Sequence, residues 1–348
     1  MNYLFYVGPG IGDIVMMLEV AKTIKNTEYN ANIDCFMNQP NGYNRHGITN
    51  NVMQYQTIFR KLYYYSSKEI LHDLKLIVEL KKNKYEKGFV FQYGHTTKVS
   101  KIPAMIINLL GVQSIGFNYK NNLCKKKYEY DKNETIVCRC LEVMKKEGYE
   151  IIDRNDVLDK KKIENEKLKV ELNSDKKSVG LCIGSGLIGL KINGNNYTSV
   201  AKNWNINNWI NLANQLVERN YDVVLLGSES EKKLMVEVSS KIDKRVINAV
   251  SKCSLGESMR LIYSLDMVIG GDTGLMHIAA SLGKKTLSLF GCTSPIDYLP
   301  FGKNSYYIFK NYDCSPCIGR KESIFCQKHK CMDDIGVQEV IRKSMEIL

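Results

Sequence analysis

Apolar runs of strand length alternate with helical patterns along this chain, and that alternation limits its fold more than any other feature of the sequence. Tyr3 to Val7 is a short apolar run of β-propensity. The turn Gly8-Pro9-Gly10-Ile11-Gly12 follows, after which Ile14, Met17, Leu18, Ala21 and Ile24 recur at helical spacing. Further strands are expected at Ile33–Met37, Gly88–Gln92 and Ser114–Phe117, and helices at Ile70–Leu80, Pro103–Leu110 and Thr135–Lys146. The second half repeats the rhythm more clearly. Its strands are expected at Ser178–Ile183, Asp222–Leu226, Arg245–Asn248, Met267–Ile269 and Thr286–Phe290. Its helices are expected at Ile206–Glu218, Glu231–Ser240, Leu255–Ser264 and Leu275–Leu282, with Ser254 and Glu257 spaced as a capping box.

Strict alternation builds a parallel sheet with helices on both faces. At 348 residues the chain is too long for one ordinary core. The fold class is therefore α/β, two Rossmann-like domains with parallel sheets, and ligands are expected in a central cleft at the carboxyl ends of the strands. The expected division is residues 1–160, a charged linker over 161–177, a second domain over 178–335 and a last helix over 336–348. With 44% hydrophobic and 25% charged residues, the balance is that of a soluble globular protein. Apolar stretches such as Ile102 to Leu110 are too short to span a bilayer. The N-terminus has no basic segment followed by an apolar one, so a cytoplasmic location is expected, with the 11 cysteines mostly reduced. The net charge of +12 fits a solvated lysine-rich surface. Second to that reading stands attraction to anions: nucleotide phosphates, a phosphorylated glycolipid, or peripheral contact with the inner face of a membrane. Nucleic acid is not expected as a partner, because no recognised module interleaves basic and aromatic residues.

The strongest chemical signal is Gly270-Gly271-Asp272-Thr273-Gly274-Leu275-Met276-His277, lying between a strand and an Ala-rich helix. The backbone N–H groups of Thr273, Gly274 and Leu275 would form a helix N-terminus, where amides and dipole both favour a diphosphate. Gly274 lets the backbone approach a phosphate closely. Asp272 suits sugar hydroxyls as an acceptor. By spacing alone, Asp272 and Thr273 would serve equally well as ordinary helix caps.

The run from Gly271 to Gly283, continuing into Leu289-Phe290-Gly291-Cys292-Thr293-Ser294-Pro295, resembles the signature of glycosyltransferase family 9, the heptosyltransferases. Cys292 stands where that family usually has proline. The resemblance implies the GT-B architecture and an inverting transfer of a heptose from ADP-heptose to a surface glycan acceptor, lipopolysaccharide inner core foremost. Gly10 and Gly12 would then form an acceptor-side loop, with Asp13 as the base that takes the proton from the attacking hydroxyl. On spacing alone Asp13 reads as a helix cap. Lys202, in Lys202-Asn203-Trp204, resembles the family's Lys-x-Trp-Pro element and would neutralise the leaving diphosphate. Asn205 replaces that proline, the loop from Gly184 to Ala201 is long, and Lys191 competes for the role. Glu231 matches a glutamate placed for ribose hydroxyls, with Glu229 as its substitute. Cys253, with Ser254 and Leu255, resembles the segment facing the adenine, and Ser185 is assigned to the donor side. His277 would support the phosphate loop or serve structurally. The last helix would pack back on the N-terminal domain.

The resemblance implies a transfer that requires no cofactor. Cys314 and Cys317 flank Ser315-Pro316, with two residues between them, and Cys326 and Cys331 lie nearby, a density that suits a structural zinc or iron site as well as a loop of reduced thiols. Two other functions fit: a GT-B transferase using a UDP- or GDP-hexose, and an inactive metal-bearing binding protein. A nicotinamide enzyme fits less well, because no Gly-x-Gly-x-x-Gly follows the first strand in the required context.

Overall fold

Leu4 and Phe5 have no solvent exposure, because a strand inside a parallel sheet is covered on both faces and becomes a continuous apolar run. The structure is a computed structural model. It describes residues 1–38, 51–66, 69–91, 100–119, 122–152, 156–184, 188–192, 195–199, 201–318 and 320–348. The chain divides between Asp159 and Lys160 into two units.

In the first unit, β1 (Asn2–Tyr6), α1 (Ile11–Thr27), β2 (Asn32–Asn38), β3 (Phe59–Tyr65), α2 (Ile70–Lys81), β4 (Lys87–Val90), α3 (Ile102–Leu109), β5 (Gln113–Phe117), β6 (Lys126–Tyr128) and α4 (Ile136–Lys146) follow one another. The sheet order is β3–β2–β1–β4–β5–β6 and every pair is parallel. The order reverses between β1 and β4, so the turn leaving β1 sits at the switch point where such sheets bind ligands. The edge strands β3 and β6 carry no mark in the apolar pattern. Arg60 and Lys61 interrupt the first, and the second is Lys126-Lys127-Tyr128, all at least partly exposed. The β2–β3 pairing has its own polar clamp: Arg60 donates to the fully buried Asp34 at 2.9 and 2.5 Å, and the Tyr85 hydroxyl donates to it at 2.6 Å.

Glu147, which ends α4, ties that helix to the sheet. It accepts hydrogen bonds from Lys87 at 2.8 Å, Lys126 at 2.8 Å and the Tyr128 hydroxyl at 2.7 Å, with 3% of its side chain exposed. Burial pushes its pKa up, but the bonds from Lys126, Lys87 and Tyr128 outweigh this and hold it at about 2, below its ordinary 4.5. The folded value lies below the unfolded one, so the stabilisation is full above about pH 4.5 and is lost as the pH falls toward 2. Glu147→Gln is expected to cost about 3 kcal/mol at neutral pH. Urea unfolding at neutral pH and again near the folded pKa checks this: the gap between variant and wild type should close in acid.

The second unit opens with α5 (Lys160–Glu164) and runs through β7 (Ser178–Cys182), β8 (Ile188–Ile192), β9 (Asn195–Ser199), α6 (Ile206–Glu218), β10 (Asp222–Leu226), α7 (Lys232–Val238), β11 (Ile247–Asn248), α8 (Leu255–Ser264), β12 (Met267–Gly271), α9 (Gly274–Ser281), β13 (Lys285–Phe290), α10 (Pro295–Tyr298), β14 (Ser305–Phe309), α11 (Glu322–Phe325), α12 (Lys330–Asp333) and α13 (Val337–Ile347). Its parallel sheet is ordered β11–β10–β7–β12–β13–β14, the pattern of the first unit counted from β7. The reversal here lies between β7 and β12.

Four observations bear on the expected elements and divisions. The segment from Gly184 to Ala201 is not simply a long loop, since β8 and β9 pair in it as an antiparallel hairpin. The helix expected from Glu231 begins as a 3₁₀ turn over Glu229–Glu231, closed by Ser228 as its cap. The stretch expected to link the domains contributes α5, whose Ile163 is fully buried and belongs to the second unit. The last helix, expected to pack on the first unit, belongs to the core of the second. Val340, Ile341 and Ile347 of α13 join the cluster around Trp209 and Leu212 of α6, and Trp204 Nε1 donates to the Ile335 carbonyl at 2.9 Å. Among the described residues no helix is long and apolar enough to cross a membrane.

Candidate active site

Each unit presents a polar cluster at the carboxyl edge of its sheet. In the first, Asp13 occupies the third position of α1, and its Oδ2 accepts the Gly10 N–H at 2.9 Å. A Cβ at Gly8 or Gly10 would press on that carboxylate, so the glycines let the loop close over it. The helix N-terminus favours negative charge at this position. Tyr6, at the end of β1, lies within the same field: burial first, then Tyr65 and Asp13, push its phenol well up, so it stays neutral. Gly12 lies in the first turn of α1, one residue before the carboxylate.

In the second unit, the loops leaving β11, β10, β7, β12 and β13 carry most of the remaining site residues. Lys202 Nζ donates to Asp272 Oδ2 at 2.7 Å, an ion pair with side chains 20% and 7% exposed. The Lys202 ammonium also stands 5.8 Å from the centre of the Tyr298 ring, at cation–π distance. Lys202 thus stands beside Asp272 at the head of α9, whereas Lys191 lies on β8 and its side chain is outside the described set. Thr273 caps α9, and its hydroxyl accepts the Leu275 N–H at 3.2 Å. The amide row expected at Thr273, Gly274 and Leu275 is therefore partly occupied by the protein's own cap. Gly270 allows α9 to settle against β7: a Cβ there would come within 2.8 Å of both Cys182 and Met276.

His277 sits in the first turns of α9 with 4% exposure, and its Nδ1 has no hydrogen-bond partner among the described residues. Burial lowers its pKa to about 4, with Asp272 opposing and Lys202 assisting, so the ring is neutral at pH 7. The neutral ring adds no charge to the loop.

Glu231 serves the protein's own turn first. It accepts from the Ser228 amide at 2.8 Å and from the Ser228 and Ser230 hydroxyls at 2.7 Å each. A Cβ at Gly184 would collide with Glu231, so that glycine lets the end of β7 meet the β10 loop. Sequence reasoning missed Gly184 because its partner lies far along the chain. Glu229 is exposed on the same turn and pairs with Lys232. Cys253 follows β11 on the same edge, where the Ser251 amide bonds the Gly227 carbonyl, and burial raises its thiol pKa. The Ser254–Glu257 capping box forms as expected, at 2.8 and 3.2 Å. Ser185 lies outside the described residues.

Cys292, buried where proline was expected, anchors the cysteine loop: its carbonyl accepts from Cys317 N at 2.9 Å and Ile318 N at 2.8 Å. Cys314, Cys317 and Cys326 all lie within electrostatic reach of Cys331 and help to raise its thiol pKa, after burial. Cys314 is exposed while Cys317 and Cys331 are buried, and among the described residues no group of three or more His, Cys, Asp or Glu side chains is placed to hold a metal ion. Of the two alternatives, a structural zinc or iron is thus not supported among the described residues.

A family model described as glycosyltransferase family 9 (heptosyltransferase) matches residues 74–328. The chain belongs to glycosyltransferase family 9. It is 28% identical over 152 residues to lipooligosaccharide heptosyltransferase 2 of Haemophilus influenzae, covering 42% of this chain and 44% of that one. It is 30% identical over 122 residues to lipopolysaccharide heptosyltransferase 1 of Pseudomonas aeruginosa, covering 35% and 34%. The aligned stretch thus spans less than half the length of either relative. The solved structure of the Escherichia coli ADP-heptose lps heptosyltransferase II is similar with a TM-score of 0.69 at 19% identity, covering 100% of this chain and 98% of that one. At that identity the likeness is one of fold, and the fold of this family 9 member is the GT-B architecture of two Rossmann-like units.

Proposed function

We propose that this family 9 member is an inverting glycosyltransferase that moves a heptose from ADP-heptose to a surface glycan, with lipopolysaccharide inner core as the acceptor. The observation that carries the reading is the Lys202–Asp272 pair at the head of α9. A cation and a helix N-terminus together suit a diphosphate, and a carboxylate beside them suits the hydroxyls of the sugar it bears.

The reaction is a single displacement. The acceptor oxygen attacks the anomeric carbon from the face opposite the diphosphate while its proton passes to the Asp13 carboxylate. The bond from anomeric carbon to diphosphate breaks, and its electron pair stays on the β-phosphate oxygen. Lys202 and the free amides of α9 meet the charge that appears there. Because these groups supply the positive charge, the reading calls for no cofactor. On the nucleoside side, Glu231 keeps lone pairs for ribose hydroxyls, and the backbone near Cys253 offers the adenine an edge.

Calorimetric titration of the wild type with ADP, UDP and GDP tests the donor. ADP is expected to bind at least tenfold more tightly than the other two. A preference for UDP or GDP would replace heptose by another sugar, and no binding of any of them would overturn the transferase reading.

A further inference from the structure

Helix α2 buries one face and leaves an apolar face in solvent. Leu76 and Leu80 join the core, whereas Leu71 is 77% exposed and Val78 61% exposed, with Leu74 exposed between them. At 100° per residue these three lie along one stripe, flanked by the exposed Lys75, Lys81 and Lys82. Helix α3 repeats the arrangement, with exposed Lys101, Met105 and Leu109 four residues apart. Both helices pack on the same side of the first sheet, since Ala104, Ile106 and Ile107 share a core cluster with Leu76 and Leu80. Both also begin near its carboxyl edge, the edge that carries Asp13.

We propose that this two-helix face docks on an anionic lipid surface. Apolar side chains in a row, edged by lysines, bury into the boundary between headgroups and acyl chains while the ammonium groups meet lipid phosphates. The exposed Lys75, Lys81, Lys82 and Lys101 outnumber the acids of this face, Glu69, Asp73 and Glu79. Glu79 is paired with Lys61 at 2.7 Å, and Asp73 turns back to accept the Ser66 amide at 2.6 Å. The face goes beyond the transferase reading: it would hold the acceptor edge of the first unit close to the membrane in which a glycolipid sits.

Co-sedimentation of the full chain with phosphatidylcholine vesicles, with and without phosphatidylglycerol, tests this without donor or acceptor, so its outcome stands apart from that of the nucleotide titration. The wild type should bind only when phosphatidylglycerol is present, and less as salt rises. Leu71→Ser/Leu74→Ser/Val78→Ser should weaken binding roughly a hundredfold. Lys75→Gln/Lys82→Gln should weaken it about fivefold per lysine removed. Thermal melts matching the wild type show that the variants fold. The proposal is overturned if the wild type ignores phosphatidylglycerol at low salt or the triple serine variant binds like the wild type. It is also overturned if the serine substitutions abolish self-association of the chain and leave lipid binding unchanged.

Discussion

Asp13→Asn should lower kcat by about 10³- to 10⁴-fold and leave ADP affinity within a factor of two or so, because it removes a base that acts on the acceptor. The substitution separates the cap that the structure shows from the base that the proposed reaction requires. Asp13 holds the Gly10 amide at 2.9 Å, and an asparagine oxygen can accept the same hydrogen bond. If Asp13 were only a cap, Asp13→Asn would cost about 1 kcal/mol of stability at most and change turnover little. If it is the base, the fold survives and turnover collapses. The measurement is steady-state turnover with saturating donor and acceptor, alongside a thermal melt. Turnover within tenfold of the wild type would place the base elsewhere.

The legibility of this site in the sequence differs residue by residue, for physical reasons. Asp272-Thr273-Gly274 can be read directly, because an apolar strand, two glycines, a cap and an Ala-rich helix stand in one continuous run. Lys202 cannot: it is one of many lysines, and only the resemblance singles it out. Its pairing with Asp272 is a contact between loops 70 residues apart. Gly184 and Glu231 illustrate the same limit, since nothing local marks a glycine whose missing Cβ makes room for a distant carboxylate. The central strands were legible because full burial writes an unbroken apolar run. The edges β3, β6 and β14 were not, because one solvent-facing side admits charges and tyrosines. The core that the last helix joins was not legible for a further reason. The apolar spacing of Val340, Ile341 and Ile347 says that one face is buried, but not against which partner.

Lys202→Met should lower kcat/KM by about 10³-fold, and a double variant shows why. In the wild type the ammonium lies 2.7 Å from Asp272 Oδ2, and the Asp272 side chain is only 7% exposed. Removing the lysine leaves a nearly buried carboxylate uncompensated beside the amides that would bind a diphosphate, so ADP binding should weaken more than tenfold. It also withdraws the cation that meets the leaving group. Lys202→Met/Asp272→Asn removes the repelling charge and should recover most of the lost ADP affinity, while turnover stays depressed. Titration calorimetry and kinetics on the two variants resolve these effects. Recovery of turnover together with affinity would reduce Lys202 to a counter-ion for Asp272. Recovery of affinity alone assigns the lysine to the departing diphosphate, because only that role is specific to the transition state.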